Sequence, residues 1–323
     1  MRYRTFGRTG LKISEIGHGL WAMSGWKDSD DTESRRALRV SLEEGVNFFD
    51  SAWAYGNGHC DQLLGELIAE HPGREIVVAS KVPPMNGKWP ASDRDRLADT
   101  FPRHHVVAHA EKIRAALGTG AIDVLQFHVW SDAWAAEAEF RETVAELKER
   151  GLIRWFGLSL NRWEPWNGLK AVAGGLVDSV QVIYNIFDQA PEDQLVAACR
   201  EHNVGVIARV PLDEGSLAGT LTKETTFPAG DWREHYFGPE NLAQTVDRVE
   251  RIRPLVPGGM TMAQMALRFI LANADVTTAI AGMRKDRHVR QNAGVSDGAG
   301  LPPDLVKALR AHRWDRKAKP WSD

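Results

Sequence analysis

Eight short apolar runs recur along the 323-residue chain, and nearly every one is followed by a segment with helical spacing of its apolar residues. The runs lie at 16–20, 46–49, 76–79, 124–128, 155–159, 179–183, 204–208 and 278–281. Helical spacing falls at 36–44, 61–70, 105–117, 135–150, 165–173, 193–202 and 261–272. Asp30, Asp31 and Thr32 offer caps before the first helix, and Glu192 and Asp193 do so before the sixth. Strict strand–helix alternation means a parallel sheet, because a parallel neighbour is reached only by a long crossover. Eight such units in about 280 residues favour a closed (β/α)8 barrel over an open sheet. The open rival, a doubly wound dinucleotide fold, needs GxGxxG after its first strand. This chain has GLWAMSG there, and the late GxG of Gly298 and Gly300 lacks a third glycine. The expectation is an α/β protein, a (β/α)8 barrel occupying residues 1–323 as a single domain. Ahead of the first run, residues 3–6 and 11–13 flank GRTG as a β-hairpin.

Composition removes several function classes. With 43% hydrophobic and 26% charged residues the chain has ordinary globular composition. A net charge of −3 does not suggest a phosphate-tracking nucleic-acid surface. No apolar run reaches membrane-span length, and the opening MRYRTFGRTG has no apolar core of a secretory signal. Cys60 and Cys199 stand far apart without a CxxC, which argues against a disulfide framework or a structural zinc site. No metal is expected, and the cytoplasm is the expected compartment.

The ends of three consecutive strands carry the chemistry. The second gives Asp50, with Tyr55 five residues on; the third gives Lys81; the fourth gives His128. Neighbouring parallel strands place these ends on one rim, where barrel enzymes build their sites. Singly, each has an ordinary explanation: a turn cap, a solvated strand edge, a structural histidine. Together they form a proton-transfer set. A free tyrosine, with a pKa of about 10, is a weak acid at neutrality. A nearby ammonium of Lys81, itself held charged by Asp50, is expected to lower it. His128 can hydrogen-bond and orient a substrate oxygen. The reaction such a set serves is protonation of an oxygen becoming an alkoxide, as when hydride reaches a carbonyl carbon.

The stretches GVNFFDSAWAYG, VVASKV and DVLQFHVW resemble the segments of the aldo-keto reductase family that carry its Asp, Tyr, Lys and His, and the resemblance extends over essentially the whole chain. It implies the catalytic tetrad Asp50, Tyr55, Lys81 and His128. The opening YRTFGRTGLKISEIGHG resembles that family's hairpin, which plugs the barrel bottom, and its first strand. Extra C-terminal helices and loops are implied as well. So is a nicotinamide dinucleotide, NADPH/NADP+ ahead of NADH, lying extended across the barrel mouth.

The same resemblance distributes the cofactor contacts. FGLSLNRW implies Ser159 and Asn161 at the carboxamide, although the family has Ser and Asn adjacent and Leu160 separates them here. SVQVIYN implies Gln181 there too. VIARVPLDEGSLAG resembles the loop around the diphosphate, which assigns Pro211, Leu212, Asp213, Ser216 and Leu217, chiefly through their backbone. Arg209 stands where the family has an aromatic residue stacked on the nicotinamide. A guanidinium plane also stacks, but its charge opposes the oxidised, cationic ring more than the reduced one. IAGMRKDRHVRQN resembles the segment that grips the adenosine 2′-phosphate. It implies Gly282, Met283, Arg284, Lys285 and His288 at the phosphate, and Gln291 and Asn292 at the adenine; a helix start with basic residues attracts phosphate.

Among 12 tryptophans, Trp21, Trp53, Trp89 and Trp130 follow strand ends, and Trp232 lies in the 227–240 insertion, FPAGDWREHYFGPE. Insertions of this length tend to be functional, and this one is expected to fold over the mouth. Aromatic walls suit flat or ring-shaped carbonyl substrates, sugars included. The leading expectation is an NADPH-dependent carbonyl reductase (EC 1.1.1.-) with Tyr55 as general acid. An alternative is a slow-turnover, cofactor-binding accessory protein of the same fold. A third reading, a lyase or isomerase using Lys81 as a Schiff-base amine, requires a neutral lysine, which Asp50 disfavours.

Overall fold

Residues 1–24 and 29–317 are described by the structure, a computed structural model. Two short strands, β1 (Tyr3–Thr5) and β2 (Lys12–Ser14), pair antiparallel with Tyr3 opposite Ser14. The next eight form a closed, all-parallel barrel: β3 (Ile16–Gly19), β4 (Phe48–Asp50), β5 (Val77–Val82), β6 (Ile122–Phe127), β7 (Ile153–Ser159), β8 (Ser179–Ile183), β9 (Gly205–Arg209) and β10 (Thr278–Gly282). β10 closes against β3, with Ala279 beside Ile16. The helices are α1 (Asp31–Glu43), α2 (His59–Glu70), α3 (Leu97–Thr100), α4 (Arg103–Leu117), α5 (Ala138–Glu149), α6 (Leu169–Ala173), α7 (Leu195–Glu201), α8 (Trp232–Tyr236), α9 (Pro239–Ile252), α10 (Met262–Leu271), α11 (Asp286–Ala293) and α12 (Pro303–Arg310).

Side chains alternate across each strand, so parity decides what enters the barrel. Phe48, Val77, Ala79, Val124, Ile207 and Ile280 form one apolar cluster inside it, together with Phe6 and Ile13 of the hairpin. Phe49, Val78, Leu125, Val180 and Val206, one residue out of step, belong to the larger core between barrel and helices. Two residues beyond the inner positions, the same parity turns Asp50, Lys81 and Arg209 inward. The hairpin is thus the floor of the barrel. Phe6 meets Phe48 edge-on at 5.7 Å between ring centroids. Room for Phe6 comes from Gly205, where an added Cβ would lie 2.2 Å from the phenyl Cδ2.

Several boundaries differ from the sequence expectation for local reasons. α1 starts at Asp31, five residues early, because the Asp30 carboxylate accepts from the Glu33 N–H at 2.8 Å and caps it. The helix expected at 135–150 is a 3₁₀ turn (Asp132–Ala136) and then α5, separated by the extended Glu137. That expected at 193–202 divides likewise into a turn at Ala190–Asp193, with Pro191 in it, and α7. The segment beyond the 227–240 insertion carries α9, which the sequence reading passed over. Its buried Leu242, Val246, Val249 and Ile252 recur at intervals of three and four, a readable helical stripe. α10 begins with a full capping box between Thr261 and Gln264. Among the described residues no helix is long and apolar enough to cross a membrane.

The floor gives a direct prediction. Gly205→Ala should destabilise the fold by about 1–3 kcal/mol, since the Phe6 ring must move off a packed surface. A lowered urea midpoint with an unchanged slope is the expected result; an unshifted midpoint would show that the floor is loosely packed.

Candidate active site

At the carboxyl ends of the strands lies a cavity of about 870 Å³. Its innermost wall is a buried polar cluster. Lys81, in the last turn of β5's pleat, is fully buried, and its Nζ donates to Asp50 Oδ2 and to the Ser51 carbonyl, both at 2.7 Å. The other carboxylate oxygen of Asp50 accepts from Gln181 Nε2 at 2.7 Å. Asp50 is therefore saturated from two strands, and its two partners are locked in turn. The Lys81 ammonium lies 5.2 Å from the centroid of the Tyr55 ring. Across the cavity mouth, the His128 ring packs edge-on against Tyr55 at 5.7 Å and against Trp89 at 4.6 Å. The four residues of the expected tetrad are brought together. Asp50, Tyr55 and His128 line the cavity, while Lys81 lies behind them.

The electrostatics modify the expectation for Tyr55. Burial pushes its phenol well above the ordinary value of 10, Asp50 adds to the rise, and Arg209 is the cation that opposes it. Lys81 sits over the ring face and is neutralised by Asp50, so the protein alone holds a protonated Tyr55 rather than an acidified one. Burial draws the Lys81 ammonium down from 10.5, with Asp50 resisting. Desolvation also drives His128 well below 6.5, and Lys81 and Arg209 add to that. The imidazole is neutral, and its buried Nδ1 has no partner among the described residues. A second carboxylate escaped the sequence reading. Asp61, on α2, is buried and accepts from Ser80 Oγ at 2.8 Å; burial raises it to about 6.

The expected cofactor residues divide. Ser159, Gln181, Arg209, Pro211 and Leu212 line the cavity, and so do Gly282, Arg284, Lys285, His288, Gln291 and Asn292. The latter group runs from the end of β10 through α11. Met283, Asp213, Ser216 and Leu217 are buried behind that wall. The side chains of Asp213 and Ser216 bond each other at 2.6 Å. Asn161 lines the cavity, but its amide is engaged. It donates to the Ala91 carbonyl and to Glu164, both at 2.8 Å, and accepts from the Trp130 N–H at 3.4 Å. It ties three loops together, a role that the extra residue Leu160 hid from the sequence. Gln181, with one N–H committed to Asp50, keeps its amide oxygen and second N–H. Arg209 Nη2 donates to the Leu160 carbonyl at 3.0 Å, and its buried Nε has no partner among the described residues. Burial lowers this guanidinium to about 10.

Of the five expected aromatic wall residues, Trp21, Trp89 and Trp232 line the cavity, and Trp21 and Trp232 contact each other at 4.9 Å. Two do not. Trp53 turns outward, against Gly58, His109 (5.8 Å between ring centroids) and Lys112. Trp130 is fully buried, packed on Trp134 and Phe140, with its indole N–H on Asp132. Residues adjacent to a strand end point alternately in and out, and both fell on the outward side. Arg162 and Glu214, paired at 2.8 Å in the wall, were not anticipated.

The chain belongs to the aldo/keto reductase family, whose model matches residues 15–313. This is a family of oxidoreductases that use nicotinamide cofactors. The chain is 28% identical to the aldo-keto reductase YhdN of Bacillus subtilis over 88% of its own length and 86% of that protein's. It is 27% identical to the NADH-specific methylglyoxal reductase of Escherichia coli, over 96% and 99%. Among solved structures it resembles the glycerol dehydrogenase AKR11B4 of Gluconobacter oxydans, with 25% identity, a TM-score of 0.77 and coverage of 99% and 97%.

The burial of His128 predicts that its ring stays neutral through the ordinary histidine range. Nitrogen chemical shifts of labelled histidine, assigned with His128→Asn, should show no titration of this ring near pH 6.5. A midpoint there would mean that the ring is better solvated than its packing indicates.

Proposed function

We propose that this protein is an NADPH-dependent oxidoreductase that reduces an aldehyde or ketone to an alcohol, with Tyr55 as general acid (EC 1.1.1.-). The observation that carries this reading is the buried Asp50–Lys81 pair beneath Tyr55, with the His128 ring packed edge-on against that of Tyr55 at the wall of a cavity of about 870 Å³. The bound dihydronicotinamide supplies the hydride. The protein's residues do the rest. His128, neutral and able to donate an N–H, holds the carbonyl oxygen toward Tyr55. Tyr55 keeps its proton until the oxygen gains negative charge, then gives it up. The phenolate left behind is favoured by Arg209, whose charge acts as the oxygen ionises and needs no rearrangement. Lys81 is sealed off from the cavity by its bonds to Asp50 and Ser51, which disfavours a Schiff-base role.

The residues present suit a dinucleotide. Ser159 and the free half of Gln181 suit a carboxamide, and the Arg209 guanidinium, with an unpartnered N–H, suits the ring. The backbone of Pro211 and Leu212 suits the diphosphate. Arg284, supported by Lys285 and His288, is assigned to the 2′-phosphate, and Gln291 and Asn292 to the adenine. These basic groups favour NADPH over NADH, whereas the Escherichia coli relative is NADH-specific by name. Trp21, Trp89 and Trp232 favour a flat or ring-shaped carbonyl compound, sugars included. A cytoplasmic enzyme is the reading in keeping with two free, buried thiols, Cys60 and Cys199.

The test is NADPH and NADH oxidation against a panel of aldehydes, ketones and ketosugars. Tyr55→Phe should lower kcat by about 10²–10⁴ with cofactor binding retained. Cofactor binding with no measurable Tyr55-dependent rate would instead favour an accessory protein that binds the cofactor. Dissociation constants for NADP+ and NADPH in wild type and Arg209→Tyr test the guanidinium's part. The variant should bind NADP+ relatively better, and an equal ratio in both proteins would remove charge opposition as Arg209's effect.

A further inference from the structure

The loop after β9 has costly backbone geometry. Val210, Asp213 and Glu214 are non-glycine residues with φ of 54°, 48° and 54°, and Gly215 follows at 98°. Such conformations persist only where the surroundings dictate them. Val210, Leu212, Glu214, Gly215 and Ala218 of this loop line the cavity. Two ion pairs hold it: Arg162 on Glu214 in the cavity wall, and Arg316 on Asp213 behind it.

Arg316 comes from the segment after α12, only seven residues before the last position of the chain. That segment returns to the barrel mouth. The Trp314 N–H bonds the Phe187 carbonyl at 2.8 Å, and Arg313 bonds Asp193 at the surface. Arg316 itself is buried, with 3% of its side chain exposed, as against 1% for Asp213 and 6% for Asp188. Its Nη2 donates to Asp213 Oδ1 at 2.6 Å and also to Asp188, and its Nε donates to Asp188 at 3.2 Å. Its Nη1 donates to the Tyr236 hydroxyl of α8 at 3.2 Å. The guanidinium carbon lies 5.0 and 4.8 Å from the ring centroids of Trp163 and Trp314. The free oxygen of Asp213 accepts from Ser216, so the whole turn is fixed through one carboxylate. A planar fork can serve three groups on three separate segments at once, which an ammonium cannot match in geometry.

We infer that Arg316 is a positioning residue for the dinucleotide: by gripping Asp213 from behind, it holds the strained 210–218 loop as the wall against which the diphosphate rests. The C-terminal segment thereby sets how fast the cofactor leaves. This rests on the reading that a nicotinamide dinucleotide occupies the cavity. Without the clasp, the loop relaxes out of its left-handed conformations, and the preorganised backbone surface is lost.

The test uses the full-length protein, with NADPH binding and release followed by stopped-flow fluorescence. Arg316→Met should raise Kd and the release rate by at least about tenfold, with the KM for the carbonyl compound within about twofold of wild type. Arg313→Gln, which removes a surface ion pair of the same segment, should leave both cofactor constants unchanged. Asp213→Asn should reproduce part of the loss, and combining it with Arg316→Met should add little. If Arg316→Met does not fold, Arg316→Lys keeps the charge without the fork and is read in the same way. Unchanged release in a folded Arg316 variant, or an equal loss in Arg313→Gln, overturns the inference. Failure of the wild type to bind either dinucleotide overturns the underlying reading instead.

Discussion

The Asp50–Lys81 pair is the interaction on which the upper barrel depends. An ammonium with no exposure to water is a large penalty unless its charge is paired and hydrogen-bonded. Here a carboxylate and a carbonyl meet it at 2.7 Å each, and the carboxylate's other oxygen is held by Gln181 from the far side of the barrel. β4, β5 and β8 are thereby joined above the apolar layer by polar contacts that none of them could satisfy alone. The consequence for Tyr55 is geometric as much as electrostatic. Its ring is placed over a cation that cannot wander.

Two clusters of cations and carboxylates meet in this mouth with different functions. The inner one, Asp50, Lys81 and Asp61, adjusts proton affinities at Tyr55 and His128. The outer one, Asp188, Asp213, Glu214, Arg162 and Arg316, shapes backbone. Arg209 stands between them. It is anchored to Leu160 and close enough in field to temper the Tyr55 phenol. Below both lies the apolar layer around Phe6 and Phe48, where the constraint is volume alone.

How much of this was readable from the chain follows from the range of each interaction. The eight strands were legible because a buried parallel strand is a local run of apolar residues, and Asp50, Lys81 and His128 because they end such runs. Arg284 and Lys285 were legible as a basic helix start. Orientation just past a strand end is not legible, because one residue's shift turns a side chain from cavity to core: Trp53 and Trp130 read as wall by position and are packing. The engagement of Asn161 is equally illegible, because its partners Ala91 and Trp130 lie 70 and 31 residues away. The acidification of Tyr55 by Lys81 was read from proximity, and burial outweighed it. Arg316 carried no signal at all, since nothing near it in sequence hints at Asp188 or Asp213.

The knot at Asn161 has one further effect. A single amide fastens the segment bearing Trp89 to the segment bearing His128 and to the turn at Glu164. Those walls are fastened to one another, so replacing an outward-facing side chain at a loop tip can change what fits without disturbing the proton-handling end. Diversification of ligand choice among descendants of this chain therefore has an open route through tip residues. Lengthening any of the three segments near the knot has none, because it would tilt the imidazole along with the indole.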